Sequence, residues 1–183
     1  MDRADRDVVT DYLRWLDETP AARVGRARVR APVAALQAAA SADEDPWVRA
    51  RCLEVLDHLA NDASTPTFAA ALSDPVAAVR ARALHGLTCE RCRTQEVDVG
   101  DVVTLVVAAF EGEPDPDLRH RYVDVLLRFA ERDATAGAVL RTIALDDPDE
   151  LVRTAALHAL TVGHVRSRTA LRRQARTARR RPG

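Results

Sequence analysis

One short pattern occurs four times in this chain: an Asp-Pro step, a few residues, an aliphatic residue followed by Arg, then apolar residues at helical spacing. The copies are Asp45-Pro46-Trp47-Val48-Arg49, Asp74-Pro75 running to Val79-Arg80, Asp115-Pro116-Asp117-Leu118-Arg119, and Asp147-Pro148 running to Val152-Arg153. Their period lies in the window of helical repeats, which constrains the chain to an all-α repeat architecture.

Each Asp-Pro reads as a helix start, because Pro is tolerated in a first helical turn and a preceding Asp accepts hydrogen bonds from the free N–H groups there. The second helices of four pairs are thus expected over Pro46–Ala60, Pro75–Thr88, Pro116–Ala130 and Pro148–Val162. The first helices fall on the apolar stretches Pro32–Ala40, Thr67–Leu72, Val102–Phe110 and Thr135–Leu145, each too short to be stable without packing. Asp7–Leu16 reads as an N-terminal capping helix, and Ala21–Arg30 as a short helix or turn.

The pattern resembles the HEAT repeat, in which antiparallel helix pairs carry an Asp-Pro turn, a Val-Arg pair and an Ala/Leu-rich second helix. It covers roughly residues 32–162, and is plainest in Asp74–Leu84 and Asp147–Leu157. Cys52 and Tyr122 stand where other copies have Ala83 and Ala156, which changes the size of one core site. The resemblance implies a right-handed α-α superhelix of about four helix pairs; with the N-terminal capping helix the solenoid domain is read over 1–163, followed by an Arg-rich tail over 164–183, helical or disordered. HEAT-like proteins are mostly scaffolds for proteins or nucleic acids, with a minority of enzymes, so the fold alone does not select a function.

Aligned on Val48, Val79, Leu118 and Val152, the second helices divide into two faces at about 100° per residue. The buried stripe takes Cys52, Ala83, Tyr122 and Ala156, then Leu56, Leu87, Leu126 and Leu160, flanked by Leu53, Leu84, Val123 and Leu157. Arg49, Arg80, Arg119 and Arg153 point to its edge, near the Asp-rich turns, where they form an Asp/Arg ladder between repeats or grip phosphates. The opposite face carries Arg51, Arg82 and Arg121; then Glu54, His85, Asp124 and His158; then His58, Cys89 and Arg128. The resemblance implies that these rows line a concave groove. A row of this kind is either a partner-binding surface or a solvated face held by local ion pairs. Trp15 and Trp47 are candidate interface anchors, Trp47 alternatively covering the end of the core.

Cys89-x-x-Cys92 is half of a metal site. His85 lies four residues before Cys89, and His58 takes the equivalent of the Cys89 position in the preceding repeat. A Cys2His2 zinc set of His58, His85, Cys89 and Cys92 is therefore conceivable, against a redox dithiol or two reduced cysteines, and no second Cys-x-x-Cys follows. No cofactor is otherwise expected. Glu54, His85, Asp124 and His158 combine imidazoles with carboxylates, as acid/base catalysis requires. No nucleophile stands beside a base and no Gly-rich phosphate loop occurs, so the chain is read as non-enzymatic.

The 183 residues, 47% of them hydrophobic, suffice for a sizeable core. The formal net charge of -1 conceals an asymmetry: Arg166, Arg168, Arg172, Arg173, Arg176, Arg179, Arg180 and Arg181 follow one another without an acid. Without these eight positive charges the rest of the chain stands at about -9. The tail can contact nucleic acid through phosphates, although it lacks aromatics for base stacking; it can also solubilise, clamp the acidic body, or meet an acidic protein. Every basic side chain is Arg and none is Lys, in keeping with a GC-rich bacterial genome. No apolar run is long enough to span a bilayer, the acidic start is unlike a signal peptide, and three cysteines make no disulfide framework. These features predict a cytoplasmic protein with no membrane partner. The reading that emerges is an adaptor that binds a protein in its groove; the alternative is a nucleic-acid-binding repeat protein that uses the tail and the groove arginines.

Overall fold

A computed structural model describes residues 3–18, 32–92 and 98–161, and no strand occurs among them. The helices are α1 (Arg3–Asp17), α2 (Val33–Ala42), α3 (Pro46–Ala60), α4 (Thr65–Ala71), α5 (Ala77–Thr88), α6 (Val99–Glu111), α7 (Pro116–Phe129), α8 (Ala134–Asp146) and α9 (residues 150–161). A 3-10 turn, Asp62–Ser64, leads into α4. The expected helix pairs are thus α2/α3, α4/α5, α6/α7 and α8/α9. The segments expected over Ala21–Arg30 and over the tail lie outside the described residues. The chain divides into two compact units, residues 1–96 and 97–183.

In the first unit α1 buries Val9, Tyr12 and Leu13 at i, i+3, i+4 spacing against α2. Leu36, Ala39 and Ala40 of α2, Phe68 and Ala71 of α4, and the stripes of α3 and α5 fill the rest of this core. In the second unit Val102, Val103, Val106 and Phe110 meet Tyr122, Leu126, Leu140 and Ile143. The Phe110 and Tyr122 rings pack edge to face at 6.0 Å. Cys52, Ala83, Tyr122 and Ala156 are all fully buried, as the repeat alignment predicts. Leu157 departs from that alignment: it is 58% exposed, and Leu151 is 74% exposed. Both lie on α9, the last helix among the described residues, where no further described repeat covers the flank that Leu53 and Leu84 bury in earlier copies.

The four Asp-Pro steps turn out to play two roles. Asp45 and Asp115 are N-caps: Asp45 accepts from the Trp47 N–H at 2.8 Å, and Asp115 from Asp117 and Leu118 at 3.0 and 3.1 Å. Asp74 and Asp147 sit two residues earlier in the repeat, so α5 and α9 begin at Ala77 and residue 150 rather than at Pro75 and Pro148. Their true equivalents are Asp43 and Glu113. From this slot the carboxylates accept the N–H two residues on, from Asp45, Val76, Asp115 and Asp149, at 2.8–3.0 Å. A carboxylate in the first slot closes the turn, and one in the second caps the helix. Asp149 supplies the cap of α9, accepting from Leu151 and Val152. Val76, which has no side-chain acceptor, leaves α5 without one.

Arg49, Arg80, Arg119 and Arg153 fold back under these turns. Each Nη1 donates to the carbonyl six residues upstream, that of Asp43, Asp74, Glu113 and Asp147 respectively. Arg49 also grips Asp74 of the next turn through Nε and Nη2, at 2.7 and 2.9 Å. Arg119 reaches Asp147 through the same two nitrogens, both donating to Oδ2, with Nε at 3.2 Å, while its guanidinium lies 4.0 Å from the Phe110 ring centroid. These arginines belong to the scaffold, and the Arg49–Asp74 and Arg119–Asp147 pairs form rungs between consecutive turns, one described in each unit.

Candidate functional site

With the arginines of the Val-Arg pairs consumed by the turns, the rows of Arg51, Glu54, Arg82 and His85 and of Arg121, Asp124, Arg128 and His158 are what the second helices present on the opposite face. In the first unit Arg51 and Glu54 of α3 and Arg82 and His85 of α5 share that face. Arg51 is the least available of them, its side chain only 25% exposed. It donates to Asp17 of α1 at 2.6 Å and lies 3.3 Å from Glu54. Glu54 lies 3.8 Å from Arg82, so row members of adjacent repeats do meet. His85 lies against Asp57, not Glu54. The acid/base pairing suggested by Glu54 and His85 is therefore not assembled, because Glu54 is taken up by two guanidiniums. In the second unit Arg121, Asp124 and Arg128 of α7 and His158 of α9 are all exposed.

Trp47 extends the α3 row. It precedes Arg51, Glu54 and His58 by four, seven and eleven residues, which puts all four on one stripe of the helix. It is 62% exposed and does not cover the core. The i, i+4, i+7 spacing in the sequence is the signal that places it in the row.

A second constellation lies at the C-terminal ends of α3 and α5. Asp57 and His58 end α3, His85 lies in the last turn of α5, Cys89 caps that helix, and Cys92 sits in the turn that follows. The donor atoms of Asp57, His58 and Cys92 all lie within 4.8 Å of one another, as do those of Asp57, His85 and Cys89. Cys92 Sγ is 3.4 Å from His58 Nδ1. One Asp57 oxygen, Oδ2, lies 3.8 Å from His58 Nδ1 and 3.4 Å from His85 Nε2. Its other oxygen accepts from Asn61 Nδ2 at 2.7 Å, and Asn61 in turn donates to the Gly86 carbonyl at 2.9 Å. Burial, with hydrogen bonds to Cys89 and Asp57 and their negative charge, pushes the Cys92 thiol up to about 12. Cys52 is also pushed up to about 12, by burial and then by Asp43, but it lies deep in the core.

Sequence reading brought together His58, His85, Cys89 and Cys92 and missed Asp57. The signal was available: Asp57 follows Leu53 by four residues on the buried stripe, where the equivalent positions of the other repeats are Thr88, Leu127 and Thr161. A carboxylate on a buried stripe requires partners. The tail arginines Arg166, Arg168, Arg172, Arg173, Arg176, Arg179, Arg180 and Arg181 lie outside the described residues. No helix among the described residues is long and apolar enough to cross a membrane.

Paired helices, repeated turns and a polar face left over from the scaffold define an α-helical repeat protein. The family model for HEAT repeats matches residues 65–161, more than half of the chain, and the chain belongs to the HEAT-repeat family. The α2/α3 pair precedes the matched span, yet Asp43 and Arg49 build the same turn there as their counterparts do within it. Comparisons with curated proteins and with solved structures each give no significant match.

Proposed function

We propose that this protein is a non-enzymatic interaction scaffold that binds a protein partner through the exposed face of its second helices. HEAT repeats commonly mediate protein–protein interaction. The observation that carries the reading is the α3/α5 face, where Trp47, 62% exposed, stands in one stripe with Arg51, Glu54 and His58, beside Arg82 and His85. A large aromatic within a rim of mixed charge is the composition of an interface hot spot: the ring supplies buried apolar area and the charges set register and orientation. Arg121, Asp124, Arg128 and His158 offer a similar mixed row on the second unit.

Affinity capture with the full chain tests this. Trp47→Ala and the charge reversals Arg82→Glu and Arg121→Glu are compared with wild type, each variant checked for unchanged folding by circular dichroism. The partner captured by wild type is expected to be lost or strongly reduced with Trp47→Ala and Arg82→Glu. Captured sets identical to wild type in all three variants would overturn the proposal.

A further inference from the structure

The donor cluster at the ends of α3 and α5 shares His58 and His85 with the proposed partner face, but its thiols and buried carboxylate have a chemistry that partner binding does not use. We propose that the first unit holds a Zn2+-class cation in a site made by Cys89, Cys92, His58 and His85, with the buried carboxylate of Asp57 among the donors.

Geometry carries the assignment. Four donors come from two adjacent helices and the turn after the second, and both donor triples share Asp57. In a tetrahedral zinc site with metal–ligand bonds of 2.0–2.3 Å, ligand atoms stand about 3.3–3.8 Å apart. Cys92 Sγ and His58 Nδ1 are already at 3.4 Å, His85 and Cys89, within 4.8 Å, need to close by about 1.3 Å at most, and Asp57 Oδ2 stands against both histidines. His58, His85, Cys89 and Cys92 lie at or near the surface, so their rotamers can make that adjustment.

The carboxylate is the part that must be built in advance, and it is. Asp57 is 2% exposed, with Oδ1 held by Asn61 and Oδ2 turned toward His58 and His85. Asp57 Oδ2 meets His58 at Nδ1, the nitrogen that lies 3.4 Å from Cys92 Sγ, so the carboxylate faces the donor atoms themselves and sets a negative charge beside the ion. The C-terminal turns of α3 and α5 also converge here, and the negative end of a helix dipole favours a cation. Two sulfur and two nitrogen donors select a borderline-soft metal over Mg2+ or Ca2+, which prefer oxygen. On binding, two thiol S–H bonds are replaced by two S–Zn bonds and two protons pass to solvent, so the Zn2+ charge is balanced by two thiolates. The ion would tie the ends of both second helices to the turn that leaves the first unit.

The test uses the full chain, reduced and freed of metal by chelation, titrated with Co2+ and then Zn2+. One equivalent of Co2+ is expected to give thiolate-to-metal charge-transfer absorption and the visible bands of tetrahedral Co2+, both displaced by Zn2+. Zn2+ is also expected to protect Cys89 and Cys92 of the wild type from alkylation, a readout that needs no variant. Cys89→Ser and Cys92→Ser should abolish the charge-transfer band, Cys52→Ala should keep it, and Asp57→Asn should weaken affinity by about 10–100-fold. The proposal is overturned if the wild type shows no thiolate band, if the band survives both serine variants, or if Zn2+ leaves the alkylation of Cys89 and Cys92 unchanged.

Discussion

Gly86 of α5 lies so close to the Phe68 ring of α4 that a Cβ added to it would stand 2.5 Å from the ring edge. Gly86 sits inside a helix, where Gly is normally worse than Ala by about 1 kcal/mol. Its presence is explained by packing: without a side chain, α5 can seat the fully buried Phe68 against its backbone, while the Gly86 carbonyl accepts from Asn61.

Gly86→Ala is therefore expected to destabilise the protein by about 1–3 kcal/mol despite the better helix propensity, because the ring or the helix has to move. Urea unfolding of the two proteins measures it. A stabilised Gly86→Ala would show that Phe68 has room to shift.

The Arg49–Asp74 rung is nearly buried, with side chains 10% and 9% exposed. Removing one partner leaves the other charge without compensation, so Arg49→Ala should cost about 3 kcal/mol, more than removing an exposed pair. Burial would raise the Asp74 pKa, but the hydrogen bonds from Arg49 and the Val76 N–H, with the Arg49 charge, hold it below its usual value. A depressed folded-state pKa contributes stability above the unfolded value, about 3.9, and loses it as pH falls through the folded one. The stability gap between wild type and Asp74→Asn is expected to be full at pH 6 and to shrink below about pH 4. Chemical denaturation across that range decides it, and a gap constant down to pH 2 would contradict the assignment.

The two roles of the Asp-Pro steps separate by substitution. Asp115→Ala removes the cap of α7 and should cost about 1 kcal/mol. Val76→Asp places an acceptor in the unused cap slot of α5 and should gain a few tenths of a kcal/mol to about 1 kcal/mol. Thermal unfolding measures both shifts; a loss in Val76→Asp would mean that its apolar contacts outweigh the cap.

Row arginines should differ in what they do for the fold. Arg82 is half exposed and 3.8 Å from Glu54, so Arg82→Glu should change stability by less than about 1 kcal/mol. Arg51, pinned by Asp17 and Glu54, should lose more on reversal. Comparing denaturation midpoints of the two variants checks the order, and it selects Arg82 as the cleaner probe of partner binding.

Much of the fold was legible in the residues because helical spacing and turn chemistry are local. The α3 boundaries, the stripe through Cys52, Ala83, Tyr122 and Ala156, and the exposed rows all follow from a period of 3.6 and a repeated start signal. The misread starts of α5 and α9 arose because Asp-Pro marks two slots of one turn, and only the position of the accepted N–H distinguishes them. The candidate metal site was legible as four scattered donors, while Asp57 passed unremarked on the buried stripe.

By itself the sequence determined an all-α repeat protein, its helix pairs and the faces those helices present, since each depends on residues within a few turns of one another. Tertiary structure decided which polar residues were already committed. Arg49 closes on Asp74 across 25 residues, and Cys92 meets His58 across 34. Such pairings depend on how one helix seats against the next, so no spacing within a single helix could encode them.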